Sequence, residues 1–276
     1  MGDPLVISVR RVLGVGASAM LLAGGLSAQS LDALMARGRA QLDSAKPEAA
    51  INTFELAIKR NDRHVPAYLS LAMAIGAAAP DANALRLPFL ARRVRGALER
   101  VIELDPSSVE ARYGLVQYYL QAPSVFGGSV EKARIHAGAI MRLLPARGHI
   151  AQGQIARKLG DTVTYERELR SAMRVAPDSF AAFSHFAGHL ASTKRGPEAI
   201  ALLEGFIATH PDHAIARYSY GRLALRTGLA TERAIAAVER IRTLPAPSTP
   251  DLNRPTGARV EALLEMLRGG TRGARE

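Results

Sequence analysis

His185 and His189 stand four residues apart, a spacing that places two imidazoles on one side of a helix where they could hold a metal, and His210 and His213 flank Pro211 shortly after. The first pair lacks the intervening Glu of a His-Glu-x2-His hydrolase motif and has no third ligand at metal-site spacing, so these histidines read as interface or surface imidazoles and no metal is expected. A second candidate is the run Ala122-Pro123-Ser124-Val125-Phe126-Gly127-Gly128-Ser129, with Lys132 one turn on. Glycines ahead of a helix can offer backbone N–H groups to an anion. They serve equally as a turn with positive φ, with Ser129 as a cap and Phe126 filling a gap, and there is no Gly-x4-Gly-Lys phosphate loop. Nucleophilic catalysis finds no support, since the chain has no Cys and no Gly-x-Ser-x-Gly elbow. Glu131, Glu166 and Glu168 are expected on solvated faces. Arg92, Arg93, Arg95 and Arg100 form a basic run without interleaved aromatics, read as a solvated face with no role for nucleic acid. No enzyme activity and no cofactor are expected.

The elements that would carry these residues are helical. Hydrophobic residues make up 48% of the chain, aromatics only 5%, and Trp is absent, which favours many small helix–helix contacts over an aromatic-rich sandwich. The first 28 residues have the parts of a secretory signal: Arg10-Arg11, an apolar run from Val12 to Leu26, then Ser27-Ala28. Cleavage after Ala28 is expected, with export to the periplasm or beyond; the rival reading is an uncleaved anchor, disfavoured by Gly14, Gly16, Gly24 and Gly25 in so short a run. The absence of Cys excludes both disulfides and a lipid anchor on a Cys at that cleavage site, so the product is not expected to be an integral membrane protein. The formal charge of +11 attracts anionic partners without choosing among them.

The chain repeats itself. Pro106, Pro145, Pro177 and Pro211 mark recurrent unit ends, with Pro245 as the last, at intervals close to 34 residues. Between them runs a pattern of a bulky residue, Leu, a small residue and an aromatic, then Ala and an aromatic or apolar residue, then Pro. Phe183, Phe186, Ala187 and Leu190 followed by Ala199, Leu203 and Phe206 fit it well, as do Arg112, Leu115, Val116 and Tyr119 followed by Ala133, Ala137 and Ile140. Small residues sit where two helices approach closely, and each Pro stops a helix before the next unit.

This pattern resembles the tetratricopeptide repeat, over about Leu31 to Pro245, and the segment Leu98-Glu99-Arg100-Val101-Ile102-Glu103-Leu104-Asp105-Pro106 is similar to the end of a standard unit almost letter for letter. The resemblance implies an all-α, right-handed superhelical solenoid of about six hairpins plus a C-terminal capping helix. Its expected divisions are a signal peptide at 1–28, a solenoid at 29–245, a Pro-rich linker at 246–255, and a capping helix with a disordered tail at 256–276. An insertion is expected around Ala78–Pro88. Ala111-Arg112-Tyr113, Tyr118 to Pro123, Gly127-Gly128-Ser129 and Arg147-Gly148-His149 resemble a group of exported repeat proteins of Gram-negative bacteria.

The function implied is a protein–protein interaction scaffold, holding a peptide or protein in a concave groove lined by the first helix of each unit. Projecting the family's groove face onto this sequence selects Tyr113, Gln117 and Gln121, then Ile150, Gln154 and Lys158, then Ser184, Gly188 and Ser192, then Tyr218, Arg222 and Arg226, with Arg157 and His185 at the border. Such a stripe is polar and basic and suits an extended acidic segment. The alternative is an accessory protein that binds an anionic envelope polymer through its basic surface.

Overall fold

The protein is described by a computed structural model that covers residues 30–245 and 254–273, with side chains up to 269. The expected signal peptide and nearly all of the expected linker lie outside the described residues. Every regular element among the described residues is helical, as expected. The chain forms two compact units, Met1–Ala82 and Asn83–Glu276.

The first unit contains α1 (Leu31–Asp43), α2 (Pro47–Arg60) and α3 (Val65–Ala78), closed by a short 3-10 turn at Ala79–Asp81. Ser30 caps α1 by accepting from the Ala33 N–H, and Pro47 opens α2 at its first position, where a missing N–H costs nothing. Gly38 is required by packing: a Cβ there would lie 2.4 Å from the Phe54 ring, which is itself fully buried. Thr53, also buried, donates its hydroxyl to Gln41 Oε1 at 2.7 Å, so the polar group inside this unit is satisfied.

The second unit runs through α4 (Leu87–Leu104), α5 (Val109–Gln121), α6 (Val130–Leu143), α7 (Pro145–Lys158), α8 (Thr162–Val175), α9 (Phe180–Ser192), α10 (Gly196–Thr209), α11 (Ala214–Thr227), α12 (Thr231–Glu239) and α13 (Gly257–Gly273). Antiparallel neighbours α5/α6, α7/α8, α9/α10 and α11/α12 form the hairpins, while α5 also touches α7 and α9 touches α11, which places the first helices side by side. One continuous apolar core runs through the later hairpins from Leu169 and Phe186 through Leu203 and Tyr220 to Val238 and Leu264. The last helix, α13, packs on both α11 and α12 with Val260, Leu263, Leu264 and Leu267 buried, the place a further hairpin's first helix would take.

The turns between hairpins follow one rule and one exception. The proline at 106, 177 or 211 stands two residues beyond the preceding helix, and the next first helix begins three residues after that proline, at Val109, Phe180 or Ala214. The residue before each of these helices is Ser108, Ser179 or His213; Ser108 and His213 accept from the N–H of Ala111 and Ala216 as caps. Pro145 obeys the first half of the rule but not the second. It opens α7 at once, leaving Leu144 as the only residue between α6 and α7. This adds about one extra turn, Pro145–Arg147, to the front of α7.

Candidate functional site

The first helices α5, α7, α9 and α11 bring most of the selected stripe onto one face, in two groups. The first group centres on His185 of α9. Its Nε2 lies 3.4 Å from the Tyr113 hydroxyl of α5, and its Nδ1 lies 3.2 Å from Gln154 Nε2 of α7, so one imidazole ties three consecutive hairpins together. The guanidinium of Arg147 stacks over the Tyr113 ring at 3.7 Å from its centroid, and Arg157 sits 6.0 Å from the Tyr165 ring. Burial first, then the charges of Arg147 and Arg157, push His185 down to about 4, so it is neutral near pH 7. Burial likewise raises Tyr113, against the opposing pull of Arg147. Gln154 is only 3% exposed and its Oε1 has no hydrogen-bond partner, so a polar atom is held unsatisfied beneath this face.

The second group surrounds a cavity of about 420 Å³ between α9, α11 and α13. Ser184, Ala187 and Gly188 form one wall, Tyr218, Arg222 and Arg226 the second, and Leu263 and Met266 of α13 the third. Tyr218, Arg222 and Arg226 are four apart and so share one side of α11. Arg222 and Arg226 are exposed, and no carboxylate among the described residues pairs with either. Arg259, from α13, lies 5.4 Å from the Tyr218 ring. Two guanidiniums beside an apolar wall and a phenol can take a carboxylate together with a neighbouring apolar side chain.

Other selected residues contribute less. Gln121 donates to Gln117 Oε1 at 3.2 Å, which joins them along α5. Lys158 is exposed on the last turn of α7, outside both groups. Ile150 is not a groove residue: at 2% exposure it belongs to the core, because three positions spaced by four drift about 80° around a helix and the first has turned inward. The glutamates also depart from expectation. Glu166 and Glu168 are half-buried rather than solvated: Glu168 Oε2 meets His149 Nδ1 at 2.8 Å, and Glu166 Oε1 meets Arg195 Nη1 at 2.6 Å and His189 Nε2 at 3.2 Å. His185 and His189 thus serve different partners. His210 Nε2 lies 3.1 Å from Asp178 Oδ1, while His213 is a cap. Gly127 has φ +92°, Ser129 accepts from the Lys132 N–H, and Phe126 is 42% exposed rather than filling a gap.

Sequence reasoning missed Arg147 and the contribution of α13. Arg147 and Gln154 are seven apart, two turns along one side, which was a readable signal once α7 is known to start at Pro145.

These paired helices, with close-packed small residues and proline stops, define a tetratricopeptide-type protein, and residues 189–248 match the tetratricopeptide repeat itself. Residues 27–203 match the TRAP transporter T-component family, and the chain belongs to that family. Both are non-catalytic kinds of protein. Among solved structures, a thermophilic tetratricopeptide-repeat protein of Thermus thermophilus is 20% identical with a TM-score of 0.52, covering 71% of this chain and 100% of its own. A tetratricopeptide-repeat protein of Parabacteroides merdae is 14% identical with a TM-score of 0.51, covering 89% and 86%. These likenesses bear on the fold alone. No curated protein sequence matches the chain. No helix among the described residues is long and apolar enough to cross a membrane.

Proposed function

We propose that the protein is a periplasmic accessory component of a TRAP transporter, exported by residues 1–28, and that the first-helix face of its second unit holds an extended acidic segment of a partner protein. The family supplies the setting. The observation that carries the site is the cavity in which Tyr218, Arg222 and Arg226 face the apolar wall of α13. Tyr113, Arg147, Arg157 and His185 extend the same face across α5, α7 and α9, supported from beneath by the buried Gln154, with Gln117 and Gln121 as its polar continuation. Charge-assisted bonds of ~1.5 to 3 kcal/mol each, set against ordering costs, suffice for micromolar binding.

The test is Arg222→Ala with Arg226→Ala, in protein recovered from the periplasmic fraction and beginning at Gln29. Both side chains are exposed, so the melting temperature should hold, while co-purification of transporter proteins should fall at least ~10-fold. Undiminished capture by the folded double variant places the site elsewhere. Loss of all capture at ~0.3 M salt, from wild type and variant alike, favours the envelope-polymer alternative, because diffuse charge is screened where a pocketed contact survives.

A further inference from the structure

A second surface, at the other end of the same unit, combines exposed apolar side chains with an excess of basic charge. Between α4 and the 3-10 turn Ser124–Phe126 lies a cleft of about 440 Å³, lined by Phe89, Arg92, Arg95, Tyr118, Val125 and Phe126. Leu85 is 87% exposed, Val125 81% and Phe89 75%. No Asp or Glu occurs from Asn83 to Leu98 or from Ala122 to Val130, whereas Arg86, Arg92, Arg93 and Arg95 all fall in the first stretch. Glu99, just beyond that stretch, approaches Arg95 at 3.6 Å, and Arg92 lines the cleft beside it.

The exposed tip is firmly built. The Tyr118 hydroxyl donates to the Phe126 carbonyl at 2.5 Å, and the Ser129 N–H donates to the Tyr119 carbonyl at 2.9 Å. A Cβ on Gly128 would lie 1.9 Å from the Ala122 carbonyl oxygen, so the loop can close this tightly only with glycine there. The structure therefore holds Val125 and Phe126 out toward solvent beside the α4 arginines.

We propose that this surface docks on an anionic phospholipid bilayer, with Phe89 and Val125 entering the interfacial region and Arg92 and Arg95 meeting lipid phosphates. Side chains that are three-quarters or more exposed protrude, and a protruding apolar group gains most from a medium that surrounds it, as acyl chains do, rather than from a flat protein face. A local excess of arginine over carboxylate supplies the complementary attraction to an anionic leaflet. The basic run read from the sequence as a solvated face is thus the charged half of an amphipathic surface, completed by aromatics that lie outside the run itself.

The chain contains no Trp, so a single introduced one reports its own surroundings whatever other part of the chain touches lipid. Phe89→Trp and Val125→Trp, with Val163→Trp on α8 as a 78%-exposed control, are mixed with vesicles of phosphatidylcholine holding roughly 30% phosphatidylglycerol, and with pure phosphatidylcholine. Trp emission at 89 and 125 should shift to the blue and be quenched by brominated acyl chains in the anionic vesicles, with no change at 163. Adding Arg92→Gln and Arg95→Gln to Phe89→Trp should weaken binding at least ~10-fold, whereas Arg167→Gln with Arg174→Gln, which removes the same charge from α8, should change it less than ~3-fold. Water-like emission at 89 and 125 in the presence of anionic vesicles overturns the proposal, as does an equal shift at 163 or equal weakening by the α8 pair. A shift at 89 that needs added transporter protein instead of lipid assigns the surface to a protein partner and overturns it too.

Discussion

Gly148→Ala should destabilise the second unit by about 3 kcal/mol, while Gly205→Ala, the same change in another helix, should stabilise it slightly. A Cβ on Gly148 would lie 2.4 Å from Met141 Cα and 2.8 Å from Met141 N, which are backbone atoms and cannot swing aside. The close approach follows from the single-residue connection at Leu144, which folds the front of α7 back on the end of α6. Relief would require the two helices to part, and that would also shift Arg147 from Tyr113. Nothing lies within 4 Å of a Cβ on Gly205, so Ala there brings only its better helix propensity, worth up to about 1 kcal/mol. Thermal melting of both variants checks this: a drop of roughly 6–12 °C against an unchanged or raised midpoint. Equal midpoints would mean that α6 and α7 do not approach as described.

Acidification should weaken the protein through His185. Its ordinary value of 6.5 falls to about 4 in the folded chain, because burial and then Arg147 and Arg157 oppose its protonation. Between those values the unfolded chain binds the extra proton, so stability rises with pH across the window and falls as the pH drops from 6.5 toward 4. Allowing for partial exposure, the loss by pH 4.5 is about 2 kcal/mol. His136, lowered by burial and then by Arg112, contributes with the same sign. The diagnostic quantity is therefore a difference in slope. Urea midpoints measured from pH 7 to 4.5 should fall steeply in wild type and distinctly less in His185→Gln, whatever the variant's stability at pH 7. Parallel profiles would remove His185 from the buried network.

Much of the fold could be read from residues with a local mechanism. Pro106, Pro177 and Pro211 each follow the end of a helix by two residues, and Gly38 and Gly221 stand where a neighbouring helix leaves no room for a Cβ. Those signals act within a few residues, so they survive in a single sequence. Pro145 was less legible because proline can both end one helix and open the next, and which it does depends on the fit of Gly148 against Met141, a contact between helices. Arg147 was overlooked for that reason: at its position the other first helices are preceded by Ser108, Ser179 or His213, outside the helix.

The candidate site was partly legible. Four-residue spacing gathers Tyr218, Arg222 and Arg226 onto one side of α11, where they line one cavity, yet the apolar wall of that cavity comes from Leu263 and Met266 of α13. The same spacing misplaced Ile150, since a straight stripe ignores the drift of the helix. Glu166 has one local partner, Arg170 a turn along α8, but His149, His189 and Arg195, which draw Glu166 and Glu168 in from solvent, come from outside α8 and leave no local trace.

The proposed partner site on the first-helix face of the second unit is tested most directly at Ser184. Ser184 is exposed, lines the cavity and forms no part of the core, so a photo-cross-linking residue can replace it without disturbing the fold. Ala201, exposed on the second helix α10, provides the matched position off that face. Irradiation in the native envelope should join the position 184 variant to a transporter protein, with at least ~10-fold less adduct when Arg222→Ala and Arg226→Ala are also present. Adducts from position 201 with none from position 184 would contradict the account.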